Sequence, residues 1–260
     1  MGALMDALID ALAGLSWGWA ALAFALENLA IFGLSLGLGR WLQGRRFRRI
    51  TPPAPPLRPL ELALVCSTLI LNTAVTLVGW ALWREGVIHF RREWGPLVVA
   101  LDLLVLAGGM DVAMYALHRL AHHRLLFTLL HRAHHLFDRP RPLTLFALNP
   151  AEALAFGGLW LAVVTVYDAT WAGMSIYLAL NVLFGLVGHL GVEPLPQRWL
   201  GTPALRWLTT STFHAGHHQT PSTNFGFYTL IWDRLFGTLD PDYEARFLGL
   251  SRLNPPPELR

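Results

Sequence analysis

Apolar and polar positions alternate in long blocks along this chain, not in short periods. Five stretches run apolar long enough to cross or deeply enter a bilayer, taking about 20 residues as one span: residues 17–39, 60–83, 97–117, 151–169 and 171–190. Ahead of them, Leu4, Leu8, Ile9, Leu12 and Leu15 recur at helical spacing, which predicts a short helix lying at the interface. Between the first two stretches, "RWLQGRRFRRITPPAPPLRP" (40–59) carries five arginines within 40–49, then prolines that cannot continue a helix. The fourth and fifth stretches form a hairpin around "YDAT" (167–170), and the last 70 or so residues hold no further span.

Composition agrees with that pattern. Of 260 residues, 54% are hydrophobic and only 14% charged, against about a quarter charged in ordinary soluble domains. The expected fold class is therefore an all-α integral membrane protein with four to five transmembrane helices. All 20 basic residues are arginine, and the net charge of +3 suits an anionic lipid surface; no basic patch interleaved with exposed aromatics argues for nucleic acid. The N-terminus carries Asp6 and Asp10 in place of a positive region, which argues against a cleaved signal peptide. The lone cysteine, Cys66, rules out an internal disulfide and a thiolate cluster. The arginine-rich 40–59 loop places that side in the cytoplasm, although Arg84, Arg91 and Arg92 in the next loop pull against it. Threading the spans from there brings every clustered histidine to one side, in a cytoplasmic helical cap.

Those histidines are the candidate chemistry. "HRLAHHRLLFTLLHRAHH" (118–135) packs six of the chain's eleven, and "HAGHH" (214–218) adds three. His118 and His122 are four apart; His131, His134 and His135, like His214, His217 and His218, follow i, i+3, i+4, so each set shares one helix face. With histidine at roughly 4% of positions, a single HxxHH arises by chance about 0.02 times in a chain this long. A straight helix would hold His118 and His135 about 25 Å apart, so sharing a site requires a break between about 123 and 130, most expected within "LLFTLL". His189, at the end of the fifth stretch, makes nine candidates. Nine nitrogens suit a dinuclear metal site better than a mononuclear one, and imidazole accommodates Fe, Cu, Zn and Ni alike.

Three motifs, "HRLAH", "HRAHH" and "HAGHH", together with the flanks "DVAMYALHRLAHH" and "NFGFYTLIWDRLFGTLDP" (224–241), resemble the fatty acid hydroxylase / sterol desaturase superfamily of membrane-bound oxygenases over about residues 100–241. The resemblance implies a bacterial inner-membrane or endoplasmic-reticulum enzyme with two non-haem iron ions. It implies O2 as co-substrate, hydroxylation or desaturation of a lipid C–H bond, and electrons from a ferredoxin or cytochrome b5-like carrier. It divides the chain at 1–96, an interfacial helix and first transmembrane hairpin, and 97–260, a catalytic domain. Zinc as a substitute metal, a membrane metal transporter and a non-redox zinc-dependent lipid enzyme are the rival readings of the same histidines.

The sequence departs from the superfamily pattern twice. Glu193 stands in "HLGVE" where some members have a further histidine, and is either a carboxylate ligand or a loop acid. Asn149 of "NPAE" replaces a histidine, and either hydrogen-bonds a bound water or caps a helix. His123 is either an alternative ligand or an outer donor. Asp111, seven residues before His118, is a candidate to orient a ligand imidazole through its far N–H. Asp102 reads as helix-packing glue, Glu27 and Asn72 as a pair across the first two spans, and Asp233 with Arg234 as an ion pair bracing the distal box.

Overall fold

The computed structural model describes residues 2–93 and 95–251. The side chain of Leu4 and the C-terminal end of the expected 97–260 domain lie outside the described residues. Eleven α-helices are found among them: α1 (Gly2–Ala13), α2 (Trp17–Gln43), α3 (Pro59–Arg84), α4 (Pro96–Ala121), α5 (Phe127–Leu130), α6 (Arg132–His135), α7 (Pro150–Val166), α8 (Trp171–Gly188), α9 (Ser211–Gln219), α10 (Ile231–Leu235) and α11 (Tyr243–Leu248). Helices α2, α3, α4 and α8 are long and apolar enough to span a membrane. The fourth predicted stretch gives α7, which has 17 residues and at about 25 Å falls a little short of a bilayer core. The helix starts follow from local chemistry. Proline opens α3, α4 and α7, where its missing N–H costs nothing, and Ser16 and Thr170 side chains cap α2 and α8.

The bundle is built from α2 on α3, α3 on α7, and α4 against both α7 and α8. Its outer surface carries exposed leucines such as Leu26, Leu34 and Leu104, the side a lipid would cover. At the end away from the histidines, α1 docks onto α3: Trp80 Nε1 donates to Leu12 O at 2.9 Å, and Ile9 is buried. Arg92 pairs there with Asp10 at 2.6 Å. Asp102 is indeed glue: fully buried, it accepts from Arg91 Nη2 at 2.6 Å, Tyr167 OH at 2.7 Å, and Thr170 N and Oγ1 at 2.8 and 2.6 Å. Glu27 and Asn72 do not pair; Asn28 donates to its own helix at Phe24 O.

At the histidine end the arginine-rich loop is tied down. A two-stranded antiparallel ribbon pairs β1 (Arg48–Arg49) with β2 (Val192–Glu193), Arg48 opposite Glu193. Gly191 turns into β2 with φ +67°, where a side chain would be strained and crowded by Pro140 O and Thr51. Arg141 pairs with buried Glu61 and also donates to Pro55 O at 2.8 Å, fastening the proline-rich segment to the 3-10 turn Pro142–Phe146.

Helix α4 stops at Ala121, and the chain turns through His122–Leu126 before α5 begins. The break thus overlaps the expected 123–130 window: it opens just ahead of "LLFTLL" and takes in its first two residues, while the last four form α5. A second corner follows at His131, with φ −131°, before α6. Neither corner contains proline or glycine; backbone turns close them, with His123 N donating to Leu120 O and Leu126 N to His123 O at the first and His134 N to His131 O at the second.

Candidate metal centre

The corners fold His131, His134 and His135 back beside His118 and His122, and α9 brings His214, His217 and His218 against them. The nine imidazoles form two clusters. One holds His118, His122, His131, His135 and His217; the other holds His134, His189, His214 and His218; in each, the ligand atoms all lie within 4.8 Å of one another. In the five-membered cluster, the Nε2 atoms of His122, His135 and His217 make a triangle with sides of 3.1, 3.1 and 3.2 Å, and His118 Nε2 lies 3.0 Å from His131 Nε2. In the four-membered cluster, His189 Nε2 lies 3.2 Å from His214 Nε2 and 3.3 Å from His134 Nε2, and His214 lies 3.1 Å from His218.

Local geometry explains the sorting. On a helix, neighbours i and i+4 share a face while i and i+1 diverge by about 100°. His131 and His135 therefore point into the first cluster and His134 into the second. His214 and His218 point into the second, and His217 into the first. The His134–His135 and His217–His218 dipeptides each straddle the two clusters.

The proton positions show what these rings are arranged to hold. His118 Nδ1 lies 2.9 Å from Phe225 O, His217 Nδ1 2.7 Å from Thr223 O, and His189 Nδ1 2.7 Å from Gly185 O. A carbonyl only accepts, so Nδ1 carries the proton and Nε2 of the neutral ring is a bare lone pair. His131 Nδ1 is held likewise by Glu152 Oε1 at 2.6 Å, both groups buried. Bare lone pairs facing one another at 3.0–3.3 Å repel unless a cation sits among them. Burial, and then the neighbouring imidazoles, hold the rings neutral. His122 is pushed down to about 2, burial alone lowers His189 to about 4, and His131, His134, His135, His214, His217 and His218 all fall well below the usual imidazole value. Two ring nitrogens, His135 Nδ1 and His218 Nδ1, are buried without a hydrogen-bond partner among the described residues; on rings that bind metal through Nε2, these atoms carry the proton. The donor set fits two ions that favour imidazole.

The remaining sequence candidates lie elsewhere. His123 sits on the turn after α4, its Nδ1 accepting from Leu125 N at 3.4 Å, outside both clusters. Glu193 is no ligand: Oε2 accepts from Thr212 N and Oγ1 at 2.8 and 2.7 Å and Oε1 from Leu195 N, bracing the start of α9. Asp111 orients no imidazole. Its oxygens accept from Tyr228 N, Thr229 N, Thr229 Oγ1 and Trp232 Nε1, because that loop, and not a histidine, covers this face of α4. Asn149 is the N-cap of α7, accepting from Ala151 N at 2.9 Å. Asp233 and Arg234 do not pair: Asp233 accepts from Phe225 N, Gly226 N and Thr238 Oγ1, and Arg234 pairs with Glu244. Sequence reasoning missed Glu152 as the partner of His131. "NPAE" does signal a capping box, and Glu152 is the acid of that box, but nothing in the spacing points it at residue 131.

Membrane-length helices that end on two adjacent, buried histidine clusters define a class of integral membrane protein with two groups of imidazoles able to hold metal. The chain belongs to the fatty acid hydroxylase family, whose model matches residues 103–238. It is similar to a very-long-chain aldehyde decarbonylase of Oryza sativa subsp. indica, 30% identical over 154 residues, covering 56% of this chain and 25% of the relative. A very-long-chain aldehyde decarbonylase of Arabidopsis thaliana is 28% identical over 163 residues, covering 59% of this chain and 26% of that one. Lathosterol oxidase of Rattus norvegicus is 28% identical over 163 residues, covering 62% of this chain and 51% of the oxidase. The chain thus spans a quarter to a half of these relatives' lengths. No solved structure matches it.

Proposed function

We propose that this chain is a membrane-bound di-iron oxygenase that hydroxylates or desaturates an unactivated C–H bond of a lipid, drawing electrons from a separate ferredoxin or cytochrome b5-like carrier. The observation that carries the reading is the double histidine cluster at the bilayer ends of α4 and α8. His118, His122, His131, His135 and His217 would hold one ion and His134, His189, His214 and His218 the other. When bound, the ions supply O2 activation and oxidation of the C–H bond. The chain's own part is to present lone pairs, fix their tautomers through Glu152 and the carbonyls of Phe225, Thr223 and Gly185, and keep water out by burial. The printed names of the relatives, an aldehyde decarbonylase of very long chains and a sterol oxidase, support a lipid substrate. A metal transporter would set its histidines near mid-bilayer along a pathway, whereas these lie at the span ends.

We further propose that the histidine end faces the cytoplasm of a bacterial inner membrane or an endoplasmic reticulum, with residues 97–260 as the catalytic unit and 1–96 as its anchor. Of Arg84, Arg91 and Arg92, which argue against this orientation in the bare sequence, Arg91 and Arg92 are paired with Asp102, Glu93, Asp6 and Asp10, and Arg84 donates to Leu15 O. Among the described residues, Arg40, Arg45, Arg46 and Arg49 of the other loop make no such ion pairs.

Metal analysis with O2-uptake measurement and lipid mass spectrometry of cells with and without the protein tests the function. Iron, O2 consumption and a lipid with an added oxygen or two lost hydrogens are expected. Zinc alone, with lipid turnover under argon, sinks the oxygenase reading in favour of a non-redox zinc enzyme.

A further inference from the structure

Helix α4 outruns a bilayer. Its 26 residues measure about 39 Å against a hydrocarbon core of about 30 Å. Were all of the excess at the histidine end, about six residues would project there, and the core would still reach Tyr115. Helix α10 lies beside this stretch, outside the bundle. Trp232 Nε1 donates to Asp111 Oδ2 at 2.9 Å, and the Phe236 ring, just after α10, stacks on Tyr115 with centroids 5.6 Å apart. Helix α10 therefore runs along the edge of the bilayer core. Leu235 and Phe236 are 66% and 53% exposed there.

The end of α4 has the same character. Leu101, Val105, Val112 and Arg119 fall on one helix face. The first three are exposed on the span, and Arg119, also exposed, closes their stripe. Its guanidinium carbon lies 5.5 Å from the Phe236 ring centre, and Nη1 donates to Tyr115 OH at 3.2 Å. The stem thus crosses the apolar edge and the charge stands at its rim. The corner after α4 then exposes Leu120, Leu125 and Leu129, with Arg124 and Arg132 exposed among them. No Asp or Glu occurs between Asp111 and Asp138. Arg119, Arg124 and Arg132 make no ion pair among the described residues, whereas Arg91, Arg92, Arg141, Arg234 and Arg246 all meet carboxylates.

We propose that the α4–α5 corner and α10 form an edge that docks on anionic phospholipid. Leu120, Leu125, Leu129, Leu235 and Phe236 enter the leaflet at the histidine end, and Arg119, Arg124 and Arg132 take its phosphate headgroups. Two observations choose lipid over an acidic soluble protein. The apolar residues continue a stripe of α4 that already faces acyl chains, and the cations are interleaved with them, as on segments that lie in a bilayer interface. Each arginine near such a surface adds a roughly fivefold preference for an anionic leaflet. His122 precedes α5 and His131 follows it, so the lipid seats the corner that presents two of the imidazoles. Headgroup binding requires neither metal nor O2.

The full-length protein in vesicles of phosphatidylcholine and phosphatidylglycerol tests both halves. In a Cys66→Ser background, nitroxides at Leu125→Cys and Leu235→Cys should be relaxed by O2 more than by a water-soluble nickel chelate. Leu104→Cys, at a position 71% exposed on the span, gives the lipid-facing reference. Mass spectrometry of lipids retained on the extracted protein should show phosphatidylglycerol enriched over phosphatidylcholine. Arg124→Gln should lower that enrichment about fivefold, and Arg124→Lys should keep it, with metal content unchanged in both. Nitroxides open to the chelate, or enrichment indifferent to Arg124→Gln, overturns the proposal. So does an acidic ferredoxin-like protein that shields both nitroxides where lipid leaves them open, which would assign the surface to a protein.

Discussion

The residue whose role was hardest to foresee is Glu152. Its Oε1 holds His131 Nδ1 at 2.6 Å while Oε2 faces Asn149 N in the capping box of α7. Replacement by Gln keeps the side chain's shape but puts an amide in place of the carboxyl group that faces His131 Nδ1. Outer-shell partners of this kind contribute about 10–100-fold to metal affinity. Metal titration of Glu152→Gln should show that loss. The imidazoles also set a pH dependence. Their folded values are depressed, to about 4 for His189, so the unfolded chain binds more protons below the ordinary histidine pKa of about 6.5. The histidine contribution to metal-free stability is therefore complete above about pH 6.5 and is lost as pH falls from there towards 4. Thermal unfolding of the apoprotein across that window measures it. Eight of the nine histidines were legible because their spacing is statistically rare, and His189 because it closes the fifth apolar stretch. Glu152, Phe225 O and Thr223 O were not, because hydrogen bonds from distant loops leave no spacing to read.

Among the elements, the spans were read to within a few residues because apolar length is a one-dimensional property. The break after α4 was inferred from distance: a straight helix could not deliver both histidine sets to one place. Its location was less legible. The chain turns at His122–Leu126 through backbone hydrogen bonds onto His123 O, and no turn residue marks the spot. The docking of residues 228–232 onto α4 was hidden for a related reason: it runs through Asp111, which in sequence looks like a partner for histidine. A different element shows how tightly the far end is built. A Cβ on Gly173 would stand 2.6 Å from Asp102 Cβ and 2.8 Å from its Oδ2. Gly173→Ala must therefore push α8 off the carboxylate that ties α4 to Tyr167, Thr170 and Arg91. Overpacking of this kind costs about 1–3 kcal/mol, and a lower unfolding midpoint in detergent, with metal content per folded molecule preserved, is the expected outcome.

Across the whole molecule, charge is sorted by end. Arg45 lies in the loop at the histidine end, and Glu85 caps α3 at the other. In a Cys66→Ser background, Arg45→Cys should resist a membrane-impermeant maleimide in intact cells and react once the membrane is broken, while Glu85→Cys should react at once; the reverse pattern inverts the orientation. The two histidine clusters impose a further consequence. Because His134–His135 and His217–His218 are each divided between them, neither α6 nor α9 can be set for one ion without being set for the other. Loading should then behave as a single cooperative event. Native mass spectrometry at limiting metal should show empty and doubly filled molecules, with the singly filled species scarce, so that metal starvation would lower the number of working enzymes and not the quality of each.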